Sequence, residues 1–358
     1  MRIGMVAPPW FCVPPTGYGG IERVVSYLVE GLVELGHDVT LFAAGGSSTS
    51  ANLVETFDHP PSALLGDPLL EAEHLMEAMA RWRDFDIIHD HSRLGLLAAP
   101  AVDIPVVHTI HSDVRPGCDS YYRRAAGLGP HFVAISEHQR GTLPEGVDAT
   151  VIWNAVDLPT WPFRAEAGEY LAFVGRMSPA KGVLPAIEIA KRTNRLLVLS
   201  AKINEVAEQE YFEMVVRPAL QEVRHELFIE SSPEDLRRIY SEARATLFPI
   251  QWPEPFGLVM IESMATGTPV IAFRNGSVPE VVEDGVTGRI CETIEEAVEA
   301  EATIDELSRA ACRQRVRELF SAPVAVRKHE ALYRRLTGLG QPGDVGEPAG
   351  RHEEPLGR

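Results

Sequence analysis

The chain is poor in the features that would take it out of ordinary globular chemistry. Its 358 residues include only four cysteines, Cys12, Cys118, Cys291 and Cys312, and none forms a C-x-x-C pair. Such scatter supports neither a disulfide framework nor a zinc site, and it suits a reducing compartment. No apolar run approaches the ~20 residues that cross a bilayer. Pro8, Pro9, Pro14 and Pro15 interrupt the apolar start before a secretory core forms. The expectation is a cytoplasmic protein. Basic residues are outnumbered, 33 Lys and Arg against 51 Asp and Glu, giving a formal charge of −18. Phosphate backbones are held by clustered cations, so nucleic acid is not expected as the main partner. The stretch 313–335 carries more basic than acidic residues. It reads as a solvated helix face, with peripheral contact to anionic lipid the less favoured alternative.

Common phosphate fingerprints are missing as well. Gly17-Tyr18-Gly19-Gly20-Ile21-Glu22 has Glu22 where a dinucleotide loop needs its third glycine, and no G-K-[ST] follows. The only Asp-x-Asp, Asp84-Phe85-Asp86, leads into an apolar run instead of leaving one, which is the wrong end for a metal-bound ligand. From Thr337 onward the chain is rich in Gly, Pro and charge, the composition of a disordered tail over 337–358.

What remains is 45% hydrophobic and long enough for two cores. Short β-rich runs alternate with amphipathic helical patterns, which is the grammar of βαβ units and parallel sheets. Strands are expected at 3–7, 39–43, 86–89, 105–108, 132–135 and 150–153, with a helix over 20–35 ended by Gly36. A polar segment with Pro159 and Pro162 interrupts the pattern, which then resumes with strands at 170–174, 196–199, 227–230, 245–248 and 270–273. The division is therefore a first doubly wound domain over 1–157, a linker over 158–169, a second such domain over 170–320 and a final helix over 323–336. Open α/β sheets bind ligands outside the carboxyl ends of their strands, so functional residues are expected there.

Four segments carry chemistry at such positions. In Glu254-Pro255-Phe256-Gly257-Leu258-Val259-Met260-Ile261-Glu262, a helix starting near Gly257 is apolar almost all round, yet holds Glu262. A buried carboxylate needs donors, and a ribose diol supplies two adjacent ones; an internal Arg is the competing partner. Glu254 stands beside the free backbone amides around Phe256, Gly257 and Leu258, suited to anionic oxygens, or else it merely caps the helix. Phe173-Val174-Gly175-Arg176-Met177-Ser178-Pro179-Ala180-Lys181 places Arg176 at a strand end and Lys181 at the opening of the next helix. These two cations could clamp a diphosphate, or could be solubilising surface charges. Gly19 and Gly20 allow backbone to approach a ligand closely, or form a flexible turn. His111 follows the strand at 105–108. His89, Asp90 and His91 lie upstream and leave a metal site open as a minor reading.

Together these motifs resemble family 4 of the retaining glycosyltransferases, over nearly the whole chain to about Leu336. The spacing of Glu254 and Glu262, preceded by G-R-x4-K at Gly175 to Lys181, is the most specific match. Supporting it are Gly19-Gly20, Val151-Ile152-Trp153-Asn154-Ala155-Val156-Asp157 and Asn275-Gly276-Ser277-Val278-Pro279-Glu280. The resemblance implies the GT-B fold, an α/β architecture of two Rossmann-like doubly wound domains facing across a cleft, with the final helix crossing back to the first. It implies that Arg176 and Lys181 bind a donor diphosphate, Glu262 the ribose and Glu254 the sugar, with the Phe256, Gly257 and Leu258 backbone assisting. His111 would lie near the anomeric centre, and Gly19 and Gly20 would approach from the opposite domain. No cofactor or metal is implied; the donor is a nucleotide diphosphate sugar, UDP-glucose being one candidate, and the acceptor is unidentified. Two departures concern loops only: Ala155 stands where glycine is common, and Ser277 where a second glycine is frequent. Another GT-B enzyme, a sugar-nucleotide epimerase or phosphorylase, and a non-catalytic nucleotide-sugar binder are the competing functions.

Overall fold

Nearly continuous apolar runs become parallel strands here because helices cover both faces of each sheet. The computed structural model describes residues 1–17, 19–115 and 117–339; the expected tail beyond Leu339 lies outside the described residues. The first sheet contains β1 (Arg2–Val6), β2 (Asp38–Ala43), β3 (Asn52–Glu55), β4 (Ile87–Asp90), β5 (Val106–Ile110), β6 (His131–Ala134) and β7 (Ala149–Val151). Its order is β3-β2-β1-β4-β5-β6-β7, parallel throughout. The second contains β8 (Leu171–Arg176), β9 (Leu197–Lys202), β10 (His225–Ile229), β11 (Ala245–Phe248), β12 (Val270–Phe273) and β13 (Gly288–Cys291). Its order is β10-β9-β8-β11-β12-β13, also parallel.

In each sheet the chain winds outward from one strand and then returns to that strand's other side. The reversals fall between β1 and β4 and between β8 and β11. Connections diverge at such a point and leave a crevice at the strands' carboxyl ends. The loops leaving β1, β8 and β11 carry Gly19-Gly20, Lys181 and Glu254 respectively, so topology alone brings three of the expected segments to crevices.

Two strands were not expected. β3 is a half-exposed edge strand inside what reads as a loop, and β13, Gly-Arg-Ile-Cys, is too short and mixed to show a pattern. Two local expectations are corrected. Lys181 does not open a helix: Pro179–Lys181 is a single 3-10 turn, and Gly182 at φ 76° separates it from the helix Val183–Thr193. Thr337 is not tail; it ends the helix Ala322–Thr337, which Gly338 closes at φ 71°.

The helix α1 (Gly20–Glu34) lays Val25, Leu28, Val29 and Leu32 on β1 and β2. Each such side chain contributes about 1.5–3 kcal/mol on full burial. The same core takes Val326, Leu332 and Tyr333 from the C-terminal helix, so the chain's last helix packs on its first sheet. Segment 158–164 is tied to the second sheet's layer instead: Trp161 is buried, Arg313 donates to the carbonyls of Leu158, Trp161 and Ala265, and Arg309 to those of Arg164, Ser241 and Ala243. Among the described residues, no helix is long and apolar enough to cross a membrane.

Gly31 lies within α1, where glycine costs about 1 kcal/mol relative to alanine. A Cβ there would stand 2.5 Å from Val326 Cγ2, and a valine's methyls cannot swing aside freely. Gly31→Ala is therefore expected to destabilise, by about 1–3 kcal/mol, despite its better helix propensity. Thermal melting should show a lowered midpoint, partly recovered in Gly31→Ala/Val326→Ala; a raised midpoint in the single variant would contradict the packing account.

Candidate functional site

One cleft of about 530 Å³ between the two sheets' carboxyl ends is lined by every candidate residue: Gly19, Gly20 and His111 from the first half, and Arg176, Lys181, Glu254, Phe256, Gly257, Leu258 and Glu262 from the second. The two halves meet closely at its edge. A Cβ on Gly20 would lie 3.2 Å from Leu258 Cδ1. Gly257 at φ 81° starts the helix Leu258–Ala265 and makes no side-chain cap. The Glu254 carboxylate is taken by Lys181 and the Trp252 indole, which leaves helix capping aside.

Glu262 is 7% exposed, in the middle of that helix. Tyr240 donates its hydroxyl to Oε2 at 3.1 Å, and Arg23 of α1 brings a guanidinium nitrogen to 3.7 Å from Oε1. The internal Arg of the sequence reading thus exists, but it comes from the opposite half of the molecule and stands beyond hydrogen-bond distance. Arg23 also donates to the Gly17 carbonyl at 3.0 Å, which anchors it to the glycine loop. Burial raises the Glu262 carboxyl above its ordinary range, with Arg23 and the Tyr240 hydroxyl acting against the rise.

Arg176 is the last residue of β8, in register with Lys202 of β9. Its guanidinium donates to Glu205 at 2.6 Å and, through Nε, to the buried Glu208. Lys202 lines the same cleft, its basicity reduced by burial and by Arg176. Lys181 pairs with Glu254 Oε2 at 2.5 Å, and the Trp252 indole N–H donates to that oxygen at 3.0 Å. Behind Glu254, the Ser277 N–H donates to its carbonyl at 3.0 Å and the Ser277 hydroxyl to the Phe256 carbonyl at 2.7 Å. The serine that departs from the family pattern therefore adds a bond to the loop that carries Glu254.

His111 follows β5, and its Nε2 shares a hydrogen bond of 2.8 Å with His91 Nδ1. Burial, then His108 and His329, push the His111 imidazole down to about 3, so it is neutral at pH 7. Two residues of the minor metal reading are engaged by protein: His89 bonds Tyr333 and Thr109, and Asp90 bonds His108 and Ser92. Asp86 is bound by Arg2 next to the amino end of β4. Among the described residues, no group of three or more His, Cys, Asp or Glu is placed to hold a metal ion.

Sequence reasoning missed Arg23, Tyr240, Lys202, Glu205 and Glu208, and saw His91 only as a possible metal ligand. Arg23 carries a usable signal, since it lies in the first turn of the helix that the glycine loop opens. The other four are set by long-range packing.

Comparison with known proteins gives this doubly wound pair with its cation-lined cleft a class, that of glycosyl-transferring enzymes. The model of Glycosyltransferase Family 4 matches residues 18–159 and that of Glycosyl transferases group 1 matches 162–318. A glycogen synthase of Mycobacterium tuberculosis is 27% identical over 88% of each chain. An alpha-maltose-1-phosphate synthase of the same organism is 28% identical over 94% of this chain and 100% of its own. The structure of AviGT4, a glycosyltransferase involved in avilamycin A biosynthesis, superposes with a TM-score of 0.70 at 27% identity, over 95% of this chain and 98% of that one. Anabaena HepE, crystallised with UDP and glucose, shares the fold at a TM-score of 0.73 and 18% identity, over 94% of this chain and 100% of that one. The chain belongs to the family 4 glycosyltransferases of the GT-B fold and is a transferase of glycosyl groups.

The buried imidazoles set an acid limit. His111 and His329, held at about 3 and about 4, stay neutral in the fold but titrate near 6.5 when unfolded. The unfolded chain therefore binds more protons below pH 6.5, and stability complete above that value is lost as pH falls towards 4. Glu22, raised to about 7 by burial, has the opposite sign as pH rises from 4.5. His74, held at about 4, and His89 and His91, pushed well down by burial, join the imidazole side, while burial also raises the carboxyls of Glu71, Asp157 and Glu262. With the lowered imidazoles outnumbering the raised carboxyls, the melting midpoint is expected to fall from pH 6.5 to 4; a flat profile would contradict the buried neutral cluster.

Proposed function

We propose that the cleft binds a nucleotide diphosphate sugar and transfers its hexose, with retention of configuration and without a metal, to an acceptor held against the first half of the molecule. The observation that carries this reading is the convergence around one cleft of Arg176 and Lys181, at and after the end of β8, with Glu254 and Glu262, which follow β11. Two cations at the carboxyl ends of β8 and its following turn suit a diphosphate, and they stabilise the charge that accumulates on it as it leaves. Glu262, whose cross-cleft cation stands off at 3.7 Å, has an oxygen suited to a ribose diol. Glu254 accepts from sugar hydroxyls once Lys181 turns to phosphate. Neutral His111 offers a hydrogen-bonding nitrogen near the sugar rather than a charge.

Retention is the expectation that the family resemblance brings: the acceptor hydroxyl attacks from the leaving group's own face and its proton passes to the departing phosphate. In support, Glu254 and Glu262 are engaged by Lys181 and Trp252 and by Tyr240 and Arg23, which suits binding roles. Charge stabilisation by Arg176 and Lys181 does what a divalent cation would otherwise do. With UDP-glucose as the first donor tried, Glu262→Ala is expected to raise donor KM about tenfold or more with little change in kcat, and Arg176→Ala to lower kcat about 10²–10³-fold. Steady-state nucleotide release measures both; unchanged kinetics in both variants would dismiss the assignment. Chelator is expected to leave the rate unchanged, and a loss restored by added Mg²⁺ would overturn the metal-free part.

A further inference from the structure

β4 and β5 are central strands with both faces covered, yet they contain His89, Asp90, His108 and Thr109, all buried. These polar groups are ordered into a ladder. Tyr333 of the C-terminal helix bonds His89 Nδ1 at 2.5 Å, and Thr109 bonds His89 Nε2 at 2.7 Å, so that ring is fixed at both nitrogens. The His91 ring lies against it, tilted by 39° with centroids 4.0 Å apart. His91 Nδ1 then meets His111 Nε2 at 2.8 Å. With Nε2 engaged, Nδ1 is the nitrogen that His111 has left for a ligand in the cleft it lines.

We infer that His91 is a positioning residue for the transfer reaction: through its Nδ1 it holds the His111 ring and sets whether the cleft-side Nδ1 donates or accepts. The logic is that of two neutral imidazoles sharing one proton. If His111 carries it on Nε2, its Nδ1 is a bare acceptor; if His91 carries it, His111 is protonated on Nδ1 and donates. In the first form neutral His91 carries its own proton on Nε2 and in the second Nε2 is bare; His91 Nε2 is buried with no hydrogen-bond partner among the described residues, so nothing there exchanges the proton that a switch between the two forms would need. The pair is therefore held in one form, and His91 fixes the state that His111 presents to the sugar hydroxyl. Burial keeps both rings neutral, which this sharing requires.

The inference rests on the proposed role of His111, and the test separates the two. His91→Phe keeps a ring against His89 but removes both nitrogens, whereas His91→Asn places an amide where Nδ1 stood. Nucleotide release is measured with the best donor from a panel of UDP-, ADP- and GDP-hexoses, alongside melting midpoints. His91→Phe is expected to lower kcat about tenfold or more with donor KM within about threefold, and His91→Asn to recover most of that loss. In a His111→Ala background, His91→Phe should cost nothing further. Spectra of ¹⁵N-histidine protein, recorded without donor, should show the His111 ring nitrogens moved in His91→Phe and moved less in His91→Asn. If His111→Ala is impaired while His91→Phe is not, or if the His111 resonances stay in place, this inference falls and the role of His111 stands. If His111→Ala itself turns over normally, both fall.

Discussion

Two carboxylates set into the wall of the cleft need positive charge or donors, and meeting that need organises the site. Glu262 sits in an apolar helix and loses most of its hydration. An unpaired charge there would cost several kcal/mol. Its compensation comes from Tyr240 beside it and from Arg23 across the cleft. Glu254 is matched by Lys181 from another strand end, and Arg176 is matched in turn by Glu205 and Glu208. In this state the charges neutralise one another within the protein. In the proposed reaction, binding of an anionic ligand with hydroxyls would exchange partners: phosphate would take the cations, and the hydroxyls the carboxylates those cations leave.

Such an exchange needs the two halves in a fixed relation, and three contacts supply it. At the cleft's edge Gly20 and Leu258 approach closely enough that a methyl group would be crowded. On another side Glu280 accepts from the Glu137 and His138 amides at 2.7 and 2.5 Å, at the start of the short helix Glu137–Gly141, and from the Trp153 indole at 3.2 Å. A carboxylate at a helix start meets several unsatisfied amides at once, which favours it electrostatically. The third is the C-terminal helix, which leaves the second half and buries Val326, Leu332 and Tyr333 against the first sheet. Because Arg23 is bonded to the Gly17 carbonyl, the glycine loop and the cross-cleft cation form one unit.

Much of the architecture was legible because each strand buried on two faces is a short apolar run closed by a turn signal. β11 and β12 lie where expected, to the residue, and both are central. β3 (Asn-Leu-Val-Glu) and β13 (Gly-Arg-Ile-Cys) were missed because four mixed residues show no such run, whereas the edge strands β7 and β10 kept enough apolar character to be expected. The charged candidates were legible for a related reason: a carboxylate inside an apolar helix, or a cation at a strand end, conflicts with its local pattern and needs an explanation. What stayed hidden was pairing. Nothing local to Arg23 says that it reaches Glu262 some 240 residues away, nor does Arg176 announce Glu205 and Glu208. Lys181 was misplaced in detail because Pro179 starts a turn that Gly182 stops, and both residues also fit a helix start.

The polar content of β4 and β5 bears on why the final helix returns to the first sheet at all. A helix recruited only to cover apolar surface would need Val326 and Leu332 but not Tyr333, whose fully buried hydroxyl must find a partner or be costly. Its partner is His89, and His89 supports the ring next to His111. His329, one turn before Tyr333, bonds its own helix at the Ala325 carbonyl and lies beside His89 with centroids 5.4 Å apart. The helix thus delivers polar groups to the back of the cleft as well as apolar ones to the core. Its docking and the geometry of His111 are consequently one problem: loosening the helix would release Tyr333, then His89, then the His91 ring that lies against His89 and bonds His111.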